Sequence, residues 1–165
     1  TIHHLENLDY LFSEMNRTLT SDGLFFLREF IGPKHIQYTE VQLRLANALL
    51  GLLPDSHKMT PAGIPKKEIC STPISEVVRI DPSEAISSHR IDETLNAHFD
   101  VVESRPTGGT LLHPLLHEIA WNFEKDDKGT ELLKNLIELE NTLLENDSIP
   151  SDYAFFVSKK KMESR

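Results

Sequence analysis

"HHLENLDYLFSEMNRTLTSDGLFFLREFIGP", His3 to Pro33, contains a helix, a turn and a strand in succession. Its apolar residues fall at Leu8, Leu11, Phe12, Met15 and Leu19. That spacing puts them on one stripe of a helix over Leu8–Leu19. Asn7 stands where an N-cap is needed, since its side chain can accept from an unpaired N–H of the first turn. Thr20-Ser21-Asp22-Gly23 is a turn signal. "LFFLREFIG" then opens with four consecutive apolar residues, Leu24 to Leu27, the density of a strand covered on both faces. Gly32-Pro33 closes the strand, Leu24–Ile31. A helix feeding a dense strand through a tight turn is the repeating unit of an α/β fold.

Outward from this unit the signals continue. Thr39 and Gln42 have capping-box spacing, so a helix starts at Glu40 and stops before Pro54. Asp55 to Cys70 is rich in Pro, Lys and Gly and reads as a loop, either a mobile substrate-facing lid or a surface excursion. Thr72-Pro73 opens a short helix with Pro73 at its first position. Asp81-Pro82-Ser83-Glu84 opens another in the same manner, and "IDETLNAHF" is a further turn or two. "FDVVESRP", Phe99 to Pro106, is a strand, punctuated by Thr107-Gly108-Gly109. Leu112, Leu115, Leu116, Ile119, Ala120 and Phe123 make one helical stripe. Leu132, Leu133, Leu136, Ile137, Leu139, Leu143 and Leu144 make another. "YAFFVS", Tyr153 to Ser158, is the last strand. No internal repeat is visible.

The length of 165 residues suits one domain. The net charge of −9 disfavours a nucleic-acid partner, which needs a basic face. The basic run Lys159-Lys160-Lys161 reads as a solvated tail. Cys70 is the only cysteine, which fits a reducing, cytoplasmic setting. No apolar run is long enough to span a bilayer, and no signal peptide is evident. No membrane partner is expected. The sequence opens on Thr1 rather than Met, as a processed chain or a piece of a longer one would.

The order of elements resembles the C-terminal half of a class I S-adenosylmethionine-dependent methyltransferase. The resemblance is carried by His3-His4-Leu5, a helix ending in Arg17-Thr18-Leu19, then Gly23 and an apolar strand. Asp22 is a departure, at a place where the family more commonly has Gly or Pro. Further along, "EFIGPKHIQYTEVQLRLANALLGLLP", "DPSEAISS", "FDVVESRPTGGTLLHPLLHEIAWNF" and "SDYAFFVSKK" are similar to one bacterial branch of that family. The resemblance implies an α/β fold in which Leu24–Ile31 is the fifth strand, Phe99–Arg105 the sixth and Tyr153–Ser158 the seventh. The seventh would lie antiparallel between the other two in a Rossmann-like sheet. Residues 33–98 and 110–150 would be helical insertions around the substrate pocket of a single domain. The first four strands, with the Gly-rich loop and the ribose-binding carboxylate, would lie upstream. No G-x-G-x-x-G occurs here, and Gly108-Gly109 reads as a loop turn.

On this reading the parent enzyme transfers a methyl group from S-adenosylmethionine to a small-molecule or saccharide-like acceptor. The isolated chain would not hold that cofactor tightly. The rival is a truncated, non-catalytic protein acting as a dimerising interaction module. Either way the free edge of Leu24–Ile31 and the stripe Leu8, Leu11, Phe12 and Met15 would be partly bare, so a homo-oligomer is expected.

Site residues follow from the rule that ligands sit beyond the carboxyl ends of the strands. His4, just past the fourth strand, is the candidate catalytic base or acceptor contact. A helix-entry residue bonded to backbone is its plainer reading. His3 beside it is a candidate cofactor contact. Glu29 and Phe30, at the end of the fifth strand, are candidates for acceptor binding. Glu29 could equally pair with Arg28 or Arg105. Gln37 and Tyr38 read as pocket wall, and His35 as exposed. His113 and His117 in "HPLLHE" share an i, i+4 face, as zinc ligands can. The order is not H-E-x-x-H and no third ligand is evident, so they read instead as lining a substrate pocket or a helix interface, and no metal is expected.

Overall fold

The computed structural model describes residues 1–162, which divide into two compact units. The first comprises Thr1–Gln37, Thr72–Thr107 and the segment from Ser151. Its sheet has three strands: β1 (Leu24–Phe30), β2 (Phe99–Pro106) and β3 (Tyr153–Lys160). The order is β1-β3-β2, and β3 is antiparallel to both neighbours. β1 and β2 therefore run parallel, with their carboxyl ends, Phe30 and Pro106, at the same end of the sheet. The chain is α/β, and the reversed last strand lies between the other two in the expected order.

Helices α1 (Leu8–Thr18) and α4 (Ile91–His98) belong to the same unit. Their apolar faces pack with alternate sheet residues into one core of Leu8, Phe12, Leu27, Ile91, Leu95, Phe99, Ala154 and Phe156. Asn7 caps α1 by accepting from the Tyr10 N–H at 3.0 Å. The stripe expected to be partly bare is instead largely covered, with Leu8 and Phe12 fully buried. The exposure lies on the other face of the sheet. Leu24 is 45% exposed and Phe26 57%, and Phe26 stacks on Phe155 with centroids 6.2 Å apart. The run Leu24–Leu27 is thus covered on one face only, because successive strand residues point to opposite sides.

Other local expectations need correction. Asp81–Ser87 forms turns rather than a helix. The Asp81 carboxylate accepts from both the Ser83 N–H and the Ser83 hydroxyl, which favours a turn. Ala85, at φ 49°, then breaks any helical continuation. Helix α3 (Ile74–Ile80) starts one residue after Pro73, which is its N-cap. His35 is buried, not exposed. The basic run is not a free tail, since Lys159 and Lys160 lie in β3, although Lys159 and Lys161 are exposed to solvent. Lys160 donates to the carbonyls of Arg17 and Leu19 at the end of α1, and Lys161 to those of Asn96 and Ala97 at the end of α4. Cations suit those positions because the last carbonyls of a helix lack N–H partners.

The second unit comprises Tyr38–Ser71 and Gly108–Pro150, so the segment expected as one insertion, 33–98, is divided between the two units. Helix α2 (Glu40–Leu52) opens on the expected capping box of Thr39 and Gln42. It packs with α5 (Leu112–Leu116) and α6 (Asp127–Glu145) around Ala46, Leu50, Leu53, Ile69, Leu115, Ile119, Phe123 and Leu136. The stripe Leu112–Phe123 is not one helix. α5 stops at Leu116, Glu118 has φ 65°, and a 3-10 turn covers Ala120–Glu124. Lys66 Nζ accounts for the stop, since it donates to the carbonyls of Pro114, Leu115 and His117. At the other end of α5 the buried Glu140 carboxylate accepts from the N–H groups of Gly109, Leu111 and Leu112. Among the described residues no helix is long and apolar enough to cross a membrane.

Candidate functional site

The first unit gathers several titratable side chains at the carboxyl end of β1. A 3-10 turn, Ile2–His4, is tied to that end by Glu29. The Glu29 carboxylate accepts from the Ile2 N–H at 2.6 Å and the Phe30 N–H at 2.9 Å, and lies 2.6 Å from His3 Nδ1. The Thr1 nitrogen is 3.0 Å away. Burial pushes the Glu29 carboxyl up. The hydrogen bonds from His3, the Phe30 N–H, Thr1 and the Ile2 N–H outweigh it and hold the group well below the usual carboxylate range.

The turn 81–87 closes over the same place. Its Ser87 N–H donates to the His3 carbonyl at 3.2 Å. His3 Nε2 faces Glu84 Oε1 at 3.6 Å, and His4 Nδ1 lies 3.0 Å from Ser83 Oγ and 3.6 Å from Asp81 Oδ2. The two imidazole centroids are 4.3 Å apart. His35 pins the turn from behind. Its N–H donates to the Ala85 carbonyl, and its Nδ1 bonds the Glu84 carbonyl at 2.9 Å. His35, Ile36 and Ala85 all have φ near +50°, a region costly for residues with a Cβ. Backbone strain of this kind concentrates where a fixed geometry is required.

These contacts assign tautomers. Ser83 gives its hydroxyl hydrogen to Asp81 Oδ1 at 2.6 Å. His4 Nδ1 must then donate to Ser83, as His3 Nδ1 donates to Glu29. Each neutral ring carries its lone pair on Nε2.

The expected site residues separate into two groups. His3, His4, Glu29 and Phe30 come together. Phe30 is almost fully buried, edge-on to His3 and to Tyr153, which makes it a wall of the cluster's base. Gln37 belongs to the same unit and braces its loops, donating to the carbonyls of His35 and Thr72. Tyr38, His113 and His117 belong to the second unit. Tyr38 OH lies 3.4 Å from His113 Nδ1. His117 is the C-cap of α5, its N–H donating to the His113 carbonyl at 3.1 Å and its own carbonyl accepting from Lys66. The pairing of Glu29 with Arg28 or Arg105 does not occur. Arg28 sits over the Tyr153 ring, and Arg105 pairs with Glu103.

Sequence reading missed Glu84, Ser83 and Asp81 as partners of the histidines. They lie about eighty positions away along the chain, so no local spacing could announce them. Only the run Asp-Pro-Ser-Glu itself, acidic and turn-forming, was visible. The loop Asp55–Cys70 also has a definite arrangement. With α2 it lines a cleft of about 520 Å³ that includes Asn47, Leu50, Lys58 and Lys66. No protein-family model matches this sequence, and no curated protein or solved structure matches it significantly.

Proposed function

We propose that this chain is the acceptor-side, C-terminal part of a methyltransferase that uses S-adenosylmethionine. The observation that carries the reading is the sheet, in which the last strand runs reversed between two parallel strands. The histidine pair, in the segment that carries the resemblance, sits at the carboxyl end of one of the parallel strands, where open α/β sheets bind ligands. The bare sheet face around Phe26 supports it further, since such sheets normally carry helices on both faces.

Methyl transfer is an in-line displacement at a sulfonium carbon. The protein's task is to align the acceptor atom with the methyl group and, for a hydroxyl or amine, to remove its proton. His4 suits the second role. Its ring is about one-third exposed, Ser83 fixes its Nδ1 as donor, and its Nε2 lone pair is free to accept. Glu29 holds His3 rather than the acceptor. The acceptor remains a small molecule or a saccharide.

The test is a methyl-transfer assay on the product of the complete gene. His4→Ala should lower turnover by about 10²–10⁴-fold while cofactor affinity stays within a few-fold. Turnover within a factor of about two of the parent would remove His4 from the chemistry. The 165-residue chain alone should bind S-adenosylmethionine weakly or not at all by calorimetry, because no Gly-rich loop is present in it. Tight binding by this chain would overturn its assignment to the acceptor side.

A further inference from the structure

We propose that His3, His4 and Glu84 bind a divalent first-row transition-metal ion, leaving at least one position open for water or substrate. One ligand atom from each of these three residues lies within 4.8 Å of the others. Zinc bound at about 2.0–2.1 Å in a tetrahedral site holds its ligand atoms roughly 3.3 Å apart. The 3.6 Å between His3 Nε2 and Glu84 Oε1 is already close to that separation. His4 and Glu84 are each about one-third exposed, which leaves room for the side-chain adjustment that ligand geometry requires.

The hydrogen bonding around the set is the stronger argument. A ligating histidine usually donates its second ring N–H to a carboxylate or similar acceptor, which fixes the tautomer and makes the free nitrogen more basic. His3 has this arrangement with the buried Glu29, and His4 has it with Ser83, itself bonded to Asp81. In the neutral form both imidazoles present a lone pair, and His3 Nε2 faces a carboxylate oxygen of Glu84, a second acceptor, at 3.6 Å. Two acceptors facing each other repel unless a proton or a cation lies between them. Three carboxylates, Glu29, Asp81 and Glu84, surround the two rings, and this charge suits a divalent ion. Two imidazoles and one carboxylate favour zinc, iron, nickel or copper over magnesium, which prefers oxygen ligands alone.

The inference does not rest on the methyltransferase reading: an ion on His4 Nε2 would occupy the lone pair that reading gives to a base, so the two are alternatives at His4, and the test needs no catalysis. The folded chain is titrated with Zn²⁺ and, separately, with Mg²⁺ by calorimetry, and Co²⁺ is added as a spectroscopic probe. Zn²⁺ should bind at one site far more tightly than Mg²⁺. Co²⁺ should give visible ligand-field bands. Glu84→Gln and His3→Ala should each weaken Zn²⁺ binding at least tenfold, and Glu29→Gln, which touches no metal, by about 10–100-fold. Glu84 lies on a partly exposed turn, so its variant keeps the fold, which circular dichroism verifies. Absence of Zn²⁺ binding by the parent chain overturns the proposal. So does Zn²⁺ affinity unchanged in both Glu84→Gln and His3→Ala, which would place the ion on other residues, or Mg²⁺ binding as tightly as Zn²⁺.

Discussion

Glu29 is a carboxylate on a strand whose neighbours Leu27 and Phe30 are buried, and it is itself only 7% exposed. It persists there because His3 and two backbone N–H groups supply donors, and hydrogen bonds to a charged acceptor are among the stronger ones. Its carboxyl is held below the usual range when folded, whereas in the unfolded chain it titrates near its ordinary value of 4.5. A folded pKa below the unfolded one gives stability that is complete above about pH 5 and is lost as pH falls through the acid range. Glu29→Gln should therefore lower stability at pH 7 by roughly 1–3 kcal/mol and flatten the acid limb of the stability curve. Chemical denaturation at several pH values reads both effects, and an acid limb as steep in the variant as in the parent would remove Glu29 as its source. At this scale the sequence was only partly legible. The position of Glu29 near a strand end was visible, and so was the pair His3-His4. The partner was not, because a carboxylate has no sequence signal that separates His3 from Arg28 or Arg105.

Elements were more legible where the signal is local. The N-cap Asn7, the capping box Thr39–Gln42, and all three strands follow from residues within a few positions of each other. Elements failed where a distant side chain intervened. The stripe Leu112–Phe123 has helical spacing, yet Lys66 takes the carbonyls that a continuing helix would use. Gly108-Gly109 read as a plain turn, but it is also the approach by which Glu140 reaches the first N–H groups of α5. Gly108 has φ +79°, and a Cβ there would stand 2.5 Å from Glu140 Oε2. Gly108→Ala should cost at least about 1–2 kcal/mol, the left-handed penalty alone, with displacement of Glu140 added to it. Gly51, near the end of α2, has open space and no positive φ. Gly51→Ala should instead stabilise, by up to about 1 kcal/mol. Thermal unfolding of the two variants should shift in opposite directions. Equal shifts would mean that Glu140 does not depend on the close approach.

At the scale of the whole molecule, the exposed sheet surface decides how the chain behaves in solution. β1 is an edge strand, and its outer side pairs with no strand among the described residues. It carries neither Lys nor Pro, and its one exposed charge, Arg28, sits over the Tyr153 ring. Leu24 and Phe26 stand beside that edge with about half of their surface exposed. The helix α1, which sequence reading expected to share this exposure, buries Leu8 and Phe12 in its own unit. The associating surface is therefore narrower than the sequence implied, consisting of one edge and the Phe26–Phe155 face. The chain on its own should form a dimer or larger assembly through that surface. Phe26→Lys should shift it toward monomer without unfolding it, because Phe26 lies outside the buried core. Light scattering and sedimentation on both proteins give the measurement. A parent chain that stays a stable monomer at every concentration reached would show that β1 tolerates an open edge. It would then weaken the view that β1 is a formerly internal strand, and with it one support for the methyltransferase reading. Association that persists undiminished in Phe26→Lys would move the contact elsewhere on the molecule.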